Sequence, residues 1–203
     1  MKFSFKIQQY QTDAVNAVVD VFKGQARSSL GDVSYQYDGE LLFLGYANAP
    51  IRLDKNELLQ NIQNVQSRYN INQSKELIEG QGKCSLDIEM ETGTGKTYVY
   101  IKTIFELNKQ YGWNKFIIIV PSVAIREGVK KSFEVMEEHF MSQYGKKARY
   151  FIYDGDKRGQ IADFATSNEI NVMIINNQAF AKSLNEEKSK VGRGGDKGAL
   201  RMY

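Results

Sequence analysis

A glycine-rich segment near the middle of the chain contains the residue types that bind phosphate groups. The segment is Met90-Glu91-Thr92-Gly93-Thr94-Gly95-Lys96-Thr97, between an apolar stretch and a helical pattern. Glycines allow a sharp turn that brings backbone N–H groups against phosphate oxygens, and a helix start adds its positive dipole end. The spacing predicts a phosphate loop in which Lys96 contacts the β- and γ-phosphates of ATP and the Thr97 hydroxyl binds Mg²⁺.

The first position of this loop departs from the general motif, because Met90 stands where Gly or Ala is usual. A glycine-rich turn that contains Gly-Lys-Thr by chance is the alternative interpretation. The apolar strand pattern before the loop and the helix pattern after it favour nucleotide binding. Lys96 and Thr97 are the predicted catalytic residues. The predicted cofactor-binding residues of the loop are Thr92, Gly93, Thr94, Gly95, Lys96, Thr97 and Tyr98.

The elements that must position the loop alternate regularly in the second half of the chain. Apolar runs predict strands, and stripes at helical spacing predict helices between them, so the pattern favours a parallel sheet flanked by helices. The run Lys115–Val120, with three consecutive isoleucines, predicts a strand buried on both faces. The predicted strands are Cys84–Glu89, Lys115–Val120, Arg149–Tyr153 and Asn171–Ile175, and the predicted helices are 96–110, 124–140 and 158–166.

The first part of the chain predicts a helix over 8–23 and then an insert at about 24–83. The insert contains a hairpin turn at Asp38-Gly39, a helix over 55–69 with a capping pair, Asp54 and Glu57, and a short helix near 74–79 that ends at Gly80. This insert either covers the edge of the sheet or contacts DNA or a partner subunit. The side chains that would make such a contact are Tyr35, Tyr37, Tyr46 and Arg52.

Composition limits the remaining functions. The 203 residues carry a formal charge of +3, which permits nucleic-acid binding without requiring it. A single cysteine argues against a disulfide framework and favours a reducing, cytoplasmic location, and no apolar run is long enough to span a membrane. The pattern predicts one domain over 1–185 and a flexible basic tail or connector over 186–203.

Two further segments are similar to those of superfamily two helicase-like motors. The strand 115–120 runs into Pro121-Ser122 and then into a helix, as in the DNA-contacting segment of those motors. Tyr10-Gln11 opens the first helix, as in their glutamine motif. A glutamine amide has both a donor and an acceptor, so Gln11 is predicted to pair with the adenine edge of ATP.

Three blocks make the resemblance more specific. They are Asp87–Tyr100, Lys115–Val129 and Tyr153-Asp154-Gly155-Asp156-Lys157. These blocks resemble the restriction (Res) subunit of type III restriction–modification enzymes, over most of residues 1–183. Met90 is usual in that family, so the departure at this position supports the resemblance.

The resemblance implies a RecA-like P-loop domain, with the hairpin and helix inserted before the loop. It implies the front part of an ATP-dependent translocase or helicase-like motor on double-stranded DNA, with a nuclease domain far toward the C-terminal end. It also implies ATP and Mg²⁺ as cofactors, and DNA and a modification (methyltransferase) subunit as partners. The residues expected to contact DNA are Ser122, Val123, Arg126, Asn177 and Gln178.

A motor of this class also needs an apolar strand that ends in Asp-Glu. Asp154 is followed by Gly155, and Ile175 is followed by Asn176-Asn177, so neither strand end has the carboxylate pair. The resemblance implies that this motif lies beyond Tyr203 and that the fragment is inactive alone. Two alternatives remain open: a type I restriction motor subunit or another superfamily two helicase, and a stand-alone P-loop nucleotide-binding module.

Overall fold

The fold was analysed in a computed structural model that describes residues 5–28, 35–37, 40–42, 46–78, 84–154 and 158–182. Backbone alone is described for the two short strands within 35–42. The turn at 38–39, Gly80 and the predicted tail 186–203 lie outside the described residues. The elements in chain order are α1 (Gln9–Asp20), β1 (Tyr35–Tyr37), β2 (Glu40–Leu42), α2 (Lys55–Arg68), α3 (Lys96–Tyr111), β3 (Lys115–Val120), α4 (Val123–Tyr144), β4 (Ala148–Ile152), α5 (Arg158–Thr166) and β5 (Ile170–Asn176).

Three of the strands form a parallel sheet in the order β3-β5-β4. The strand β5 lies in the centre, and all seven of its residues are buried. Its apolar run therefore matches the continuous pattern of a strand covered on both faces. Helix α4 packs on all three strands, α5 packs on β5, and α3 packs on α4. The predicted α/β fold, a parallel sheet flanked by helices, is confirmed.

Helix α3 lies between two apolar cores. On one side, Ile101, Ile104 and Phe105 pack with residues of α4 and the sheet, and the rings of Phe105 and Phe140 stack with centroids 4.9 Å apart. On the other side, Val99 and Tyr111 pack with α1, α2 and Trp113. Because both sides of α3 are buried, the helix that follows the glycine-rich loop is held rigidly.

The insert before the loop has the predicted hairpin and helix. Strands β1 and β2 pair antiparallel across positions 38–39. Helix α2 begins at a capping box, in which the Glu57 N–H donates to Asp54 Oδ1 at 2.8 Å and the Asp54 N–H donates to Glu57 Oε2 at 2.8 Å. Leu58, the next residue, is fully buried in the core that includes residues of α1. Local capping and one apolar stripe therefore determine where this helix begins and which side it buries.

Three expectations about this region are wrong. Residues 84–89 are not paired into a strand, and residues 74–78 are not helical. The strand β3 is not buried on both faces, since Ile117 and Ile119 are 47% and 44% exposed. The first and third differences involve the same part of the sheet: among the described residues β3 pairs only with β5, so one edge of β3 is unpaired and the segment 84–89 has no strand partner. No helix in the described part of the chain is long and apolar enough to cross a membrane.

Candidate nucleotide-binding site

The glycine-rich loop has the backbone shape of an anion site. Gly93 and Gly95 have φ values of 83° and 88°, a region that favours glycine. Gly95 is the N-cap of α3 and provides no side-chain cap, so the first N–H groups of the helix have no intrahelical acceptor. These donors, together with the positive end of the helix dipole, fit the oxygens of a phosphate group.

The ammonium group of Lys96 lies across the loop. Its Nζ donates to the carbonyl oxygens of Met90 and Glu91 at 3.0 Å and 2.9 Å, and the Thr94 hydroxyl donates to the same Glu91 oxygen at 2.6 Å. Lys96 is exposed, so a phosphate can reach it from solvent. Two of the three ammonium N–H donors thus bind carbonyl oxygens of the loop itself. A bound phosphate would compete with those carbonyl oxygens for the ammonium donors.

Helix α1 contacts the loop through two neighbouring side chains. The Gln11 amide Nε2 and the Tyr10 hydroxyl both donate to the Thr94 carbonyl oxygen, at 3.0 Å and 3.2 Å. Gln11 is nearly buried, and a Cβ atom built on Gly95 would lie only 2.5 Å from its Nε2. The amide nitrogen of Gln11 therefore supports the loop backbone. Its pairing with adenine stays a prediction.

The Tyr98 side chain turns away from the loop, and a nucleotide contact of this residue stays a prediction. The ring is 6% exposed and stacks on Phe140, and its hydroxyl is hydrogen-bonded to His139 Nε2 at 3.0 Å. Burial raises the pKa of this hydroxyl. Tyr98 is the third residue of α3, and its side chain follows the helix stripe into the core. Only its backbone N–H remains available to a phosphate.

The two remaining polar side chains of the loop differ in position. Thr92 is exposed at the tip, whereas Thr97 is half-buried in the first turn of α3. The described residues contain no group of three or more His, Cys, Asp or Glu side chains that could hold a metal ion. A hydroxyl and phosphate oxygens are ligands that Mg²⁺ accepts, and binding of Mg²⁺ by Thr97 stays a prediction.

The two segments predicted to contact DNA lie side by side. Strands β3 and β5 are parallel neighbours, and Val120 pairs with Asn176, so the residues after each strand emerge at the same edge of the sheet. Ser122 is the N-cap of α4, and its Oγ accepts from the Ile125 N–H at 3.3 Å. The other predicted residues here, Val123, Asn177 and Gln178, are exposed. The arrangement offers a helix N-terminus and two amide side chains to a phosphate backbone.

Arg126 has a more constrained position in the same surface. Its Nη2 donates to Glu127 Oε1 at 3.1 Å, and its side chain is 20% exposed. Its Nε is buried and has no hydrogen-bond partner among the described residues. A buried donor without a partner is costly, so a ligand or a further segment that accepts from this nitrogen would stabilise the site.

Sequence reasoning missed the residue that joins the insert to the sheet. Asn48 Oδ1 accepts from the N–H groups of Asn114 and Lys115 at 2.7 Å and 2.9 Å, and its Nδ2 donates to the Lys115 carbonyl at 2.7 Å. The Trp113 indole also donates to the carbonyl of Ala49, at 3.1 Å. These contacts cover the beginning of β3. No spacing signal identifies a lone loop asparagine, and only the fold brings it to the strand.

Comparison with known proteins identifies the family. The family model described as "Type III restriction enzyme, res subunit" matches residues 4–197. This chain belongs to that family. It is 33% identical over 195 residues to the type III restriction-modification enzyme EcoP15I Res subunit of Escherichia coli, and 32% identical over 194 residues to the EcoPI Res subunit of Escherichia phage P1. Each of these alignments covers 87% of this chain and 19% of the relative.

A third relative is similar over a shorter stretch. The StyLTI Res subunit of Salmonella typhimurium is 44% identical over 64 residues, or 30% of this chain and 6% of that protein. The chain thus spans about a fifth of the length of the EcoP15I and EcoPI Res subunits. The predicted resemblance to type III Res subunits is confirmed, and the two alternatives, a type I motor or other helicase and a stand-alone P-loop module, are not favoured.

Proposed function

We propose that this chain is the ATP-binding front part of a helicase-like motor, in a type III restriction endonuclease subunit that translocates on double-stranded DNA. The observation that carries the proposal is the loop at Gly93–Thr97, with its unpaired helix N-terminal N–H groups and the Lys96 ammonium beside them. ATP supplies the phosphoanhydride bond whose hydrolysis drives such a motor. In the full-length protein we infer a hydrolase that acts on ATP and DNA.

The roles of the residues follow from their chemistry. The backbone donors of the loop bind phosphate oxygens, Lys96 adds a positive charge, and Thr97 places Mg²⁺. Gln11 supports the loop at Thr94 through its amide nitrogen, and its amide oxygen accepts from the adenine amino group. Within the described residues, neither β4 nor β5 ends in a carboxylate pair, since Asp154 follows β4 and Asn177 follows β5. We therefore assign the attack of water on the phosphate to groups outside this segment.

An open groove next to the loop offers a place for those groups. The groove measures about 430 Å³ and lies between β3 and the segment 84–90, with Ile88, Met90 and Ile117 on its walls and Lys96 at its end. A parallel strand paired with the open edge of β3 would satisfy its unpaired backbone groups and place side chains beside Ile117 and Ile119. The carboxyl end of that strand would bring its Asp-Glu pair toward Lys96. We propose that the family's carboxylate motif lies in this groove.

Calorimetric titration with ATP and Mg²⁺ tests the nucleotide half of the proposal. We expect the 203-residue chain to bind ATP without hydrolysing it, and Lys96→Ala to abolish binding because the phosphates lose their main cation. Lys131→Ala is the matched control, since Lys131 is exposed on α4 and paired with Glu134. Equal affinity of Lys96→Ala and the unmodified chain would contradict the assignment of the loop.

Fluorescence anisotropy with a labelled DNA duplex tests the DNA half. The proposed contacts are Ser122, Val123 and Arg126 after β3 and Asn177 and Gln178 after β5. Few phosphates are contacted, so affinity should fall as about the second or third power of salt concentration. We expect Arg126→Ala to weaken binding, and deletion of 186–203 to leave the salt-dependent site in place. If the deletion removes all binding while Arg126→Ala changes nothing, the site is wrong.

The partners of the complete protein follow from family membership and remain part of the proposal. We infer a complex with the modification (methyltransferase) subunit, in the cytoplasm, where DNA and ATP are both present. Co-expression of the two genes followed by size-exclusion chromatography tests this association. Separate elution of the full-length Res protein and its modification subunit would contradict it.

A further inference from the structure

We propose that a basic pocket at the end of the domain opposite the glycine-rich loop binds a phosphate group. The pocket measures about 230 Å³ and lies between the last turn of α3, the end of α4 and the start of β5. Arg27, Lys109 and Lys146 provide its cations, and Asn108 and Gln143 provide amide groups. This site is independent of the proposed ATP site.

Helix geometry separates this pocket from both proposed sites. Lys109 lies 13 residues after Lys96 on α3, which is about 20 Å along the axis at a rise of about 1.5 Å per residue. Lys146 lies beyond Gly145, the C-cap of α4, whereas Ser122 is the N-cap of the same helix. Neither a nucleotide phosphate on the loop nor DNA at the start of α4 occupies this position.

The local charge is positive and incompletely compensated. Neighbouring cations have carboxylate partners, since Lys147 pairs with Glu137 and Arg149 with Glu169. Lys146 instead donates to the neutral Asn108 Oδ1 at 3.1 Å. Lys109 Nζ lies 3.8 Å from Glu106, a carboxylate that also accepts from the Tyr144 hydroxyl at 2.7 Å, and among the described residues no ion pair joins a carboxylate to Arg27 or Lys146.

The helix dipoles explain only part of this cluster. The C-terminal ends of α3 and α4 carry partial negative charge, which favours Lys109 and Lys146. Arg27 lies after α1 and is not in the last turn of α3 or α4, so these dipoles do not account for it. Its guanidinium group adds a planar set of donors suited to phosphate oxygens. The amides of Asn108 and Gln143 are neutral neighbours that a phosphate tolerates. The shared chemistry of the ligand is therefore a phosphate, either free or in a nucleic-acid backbone.

Amide NMR shifts of the 203-residue chain test the proposal, because they separate this pocket from the loop. Inorganic phosphate and a short oligothymidylate are titrated separately, with hexaglutamate as a third probe. We expect phosphate-dependent shifts at Lys109, Gln143 and Lys146. Tighter binding of the oligothymidylate assigns the phosphate to a nucleic acid, and stronger binding of inorganic phosphate assigns it to a free ion or nucleotide.

Single substitutions then identify the cations. Arg27→Gln and Lys146→Gln should each weaken phosphate binding at the pocket roughly tenfold, which corresponds to one charge-assisted hydrogen bond. Lys130→Gln is the matched control, because Lys130 is an exposed cation of α4 outside the pocket. The proposal fails if neither phosphate probe shifts these amides, if hexaglutamate shifts them equally, or if the two substitutions have no more effect than the control. Circular dichroism verifies that each variant is folded.

Discussion

The contact between helix α1 and the glycine-rich loop can be tested by removing the Gln11 side chain. Gln11 Nε2 donates to the Thr94 carbonyl oxygen at 3.0 Å, and the neighbouring Tyr10 hydroxyl donates to the same atom at 3.2 Å. In Gln11→Ala, Thr94 keeps only the more exposed of its two donors. The loop then has more freedom before nucleotide binds, and binding must order it.

Two roles for Gln11 predict different magnitudes. If Gln11 only supports the loop, losing one hydrogen bond costs about 0.5–1.5 kcal/mol, so ATP and GTP affinities both fall roughly 2- to 13-fold. If its amide oxygen also pairs with adenine, ATP alone loses about 1–3 kcal/mol more, by analogy with amide recognition of adenine in DNA. The preference for ATP over GTP then falls by roughly 5- to 160-fold.

Titration of ATP and GTP into three proteins separates these roles. The unmodified chain, Gln11→Ala and Tyr10→Phe are compared by calorimetry in the presence of Mg²⁺. Tyr10→Phe removes the second donor to Thr94 and leaves the amide intact, so it should weaken both nucleotides without changing their ratio. Unchanged affinities for both nucleotides in Gln11→Ala would refute a role of Gln11 in the site.

Three further predictions concern Gly95, Leu58 and Lys115. Gly95→Ala should weaken ATP binding more than Gly93→Ala in the same calorimetric assay, because both residues have positive φ but only a Cβ at Gly95 meets Gln11, at 2.5 Å. Leu58→Ala should lower the free energy of unfolding in urea by about 2–5 kcal/mol, since this side chain is fully buried. Burial lowers the pKa of Lys115 from 10.5 to about 8, so the unfolded chain binds more protons between those values. The free energy of unfolding should therefore rise with pH across that window, and Lys115→Met should flatten the rise in urea titrations at successive pH values.

Features that depend on local rules were predictable from the sequence. The loop at Gly93–Thr97 is a short motif, and its glycines and helix N-terminus lie where the spacing places them. The start of α2 follows in the same way from Asp54 and Glu57, since a capping box involves only residues three apart. The bounds of α5 also match the predicted 158–166, and β3 matches 115–120.

Features that depend on residues distant in the chain were not predictable from the sequence. The alternating apolar residues of 84–89 predict a strand, but a strand exists only when its backbone groups pair with another. Leu86 and Met90 instead pack on the core beside α1, without a sheet partner. The three isoleucines of β3 likewise indicate an apolar strand. No local pattern predicts that β3 is an edge strand of the described sheet or that Ile117 and Ile119 are exposed.

Gln11 and Tyr98, both predicted to contact the nucleotide, differ in the direction of their side chains. Gln11 and Tyr98 both lie beside the loop in the sequence-based picture of the site. On α1, Gln11 faces the loop and reaches Thr94, whereas on α3 the Tyr98 ring turns toward α4 and meets His139 and Phe140. A helix places residues on different sides every 100° or so, and only packing determines which side is buried.

The contacts of the loop also suggest how nucleotide binding would reach the rest of the domain. Thr94 accepts from α1, Lys96 holds the carbonyls of Met90 and Glu91, and α3 continues from the loop between two cores. A phosphate that draws the Lys96 ammonium away frees those carbonyls, at the point where the loop meets the segment 84–90. That segment forms one wall of the groove beside β3. The backbone at Met90 and Glu91 therefore borders both the loop and the groove. A nucleotide on the loop should alter the affinity of the groove for the segment that fills it, and the reverse should also hold.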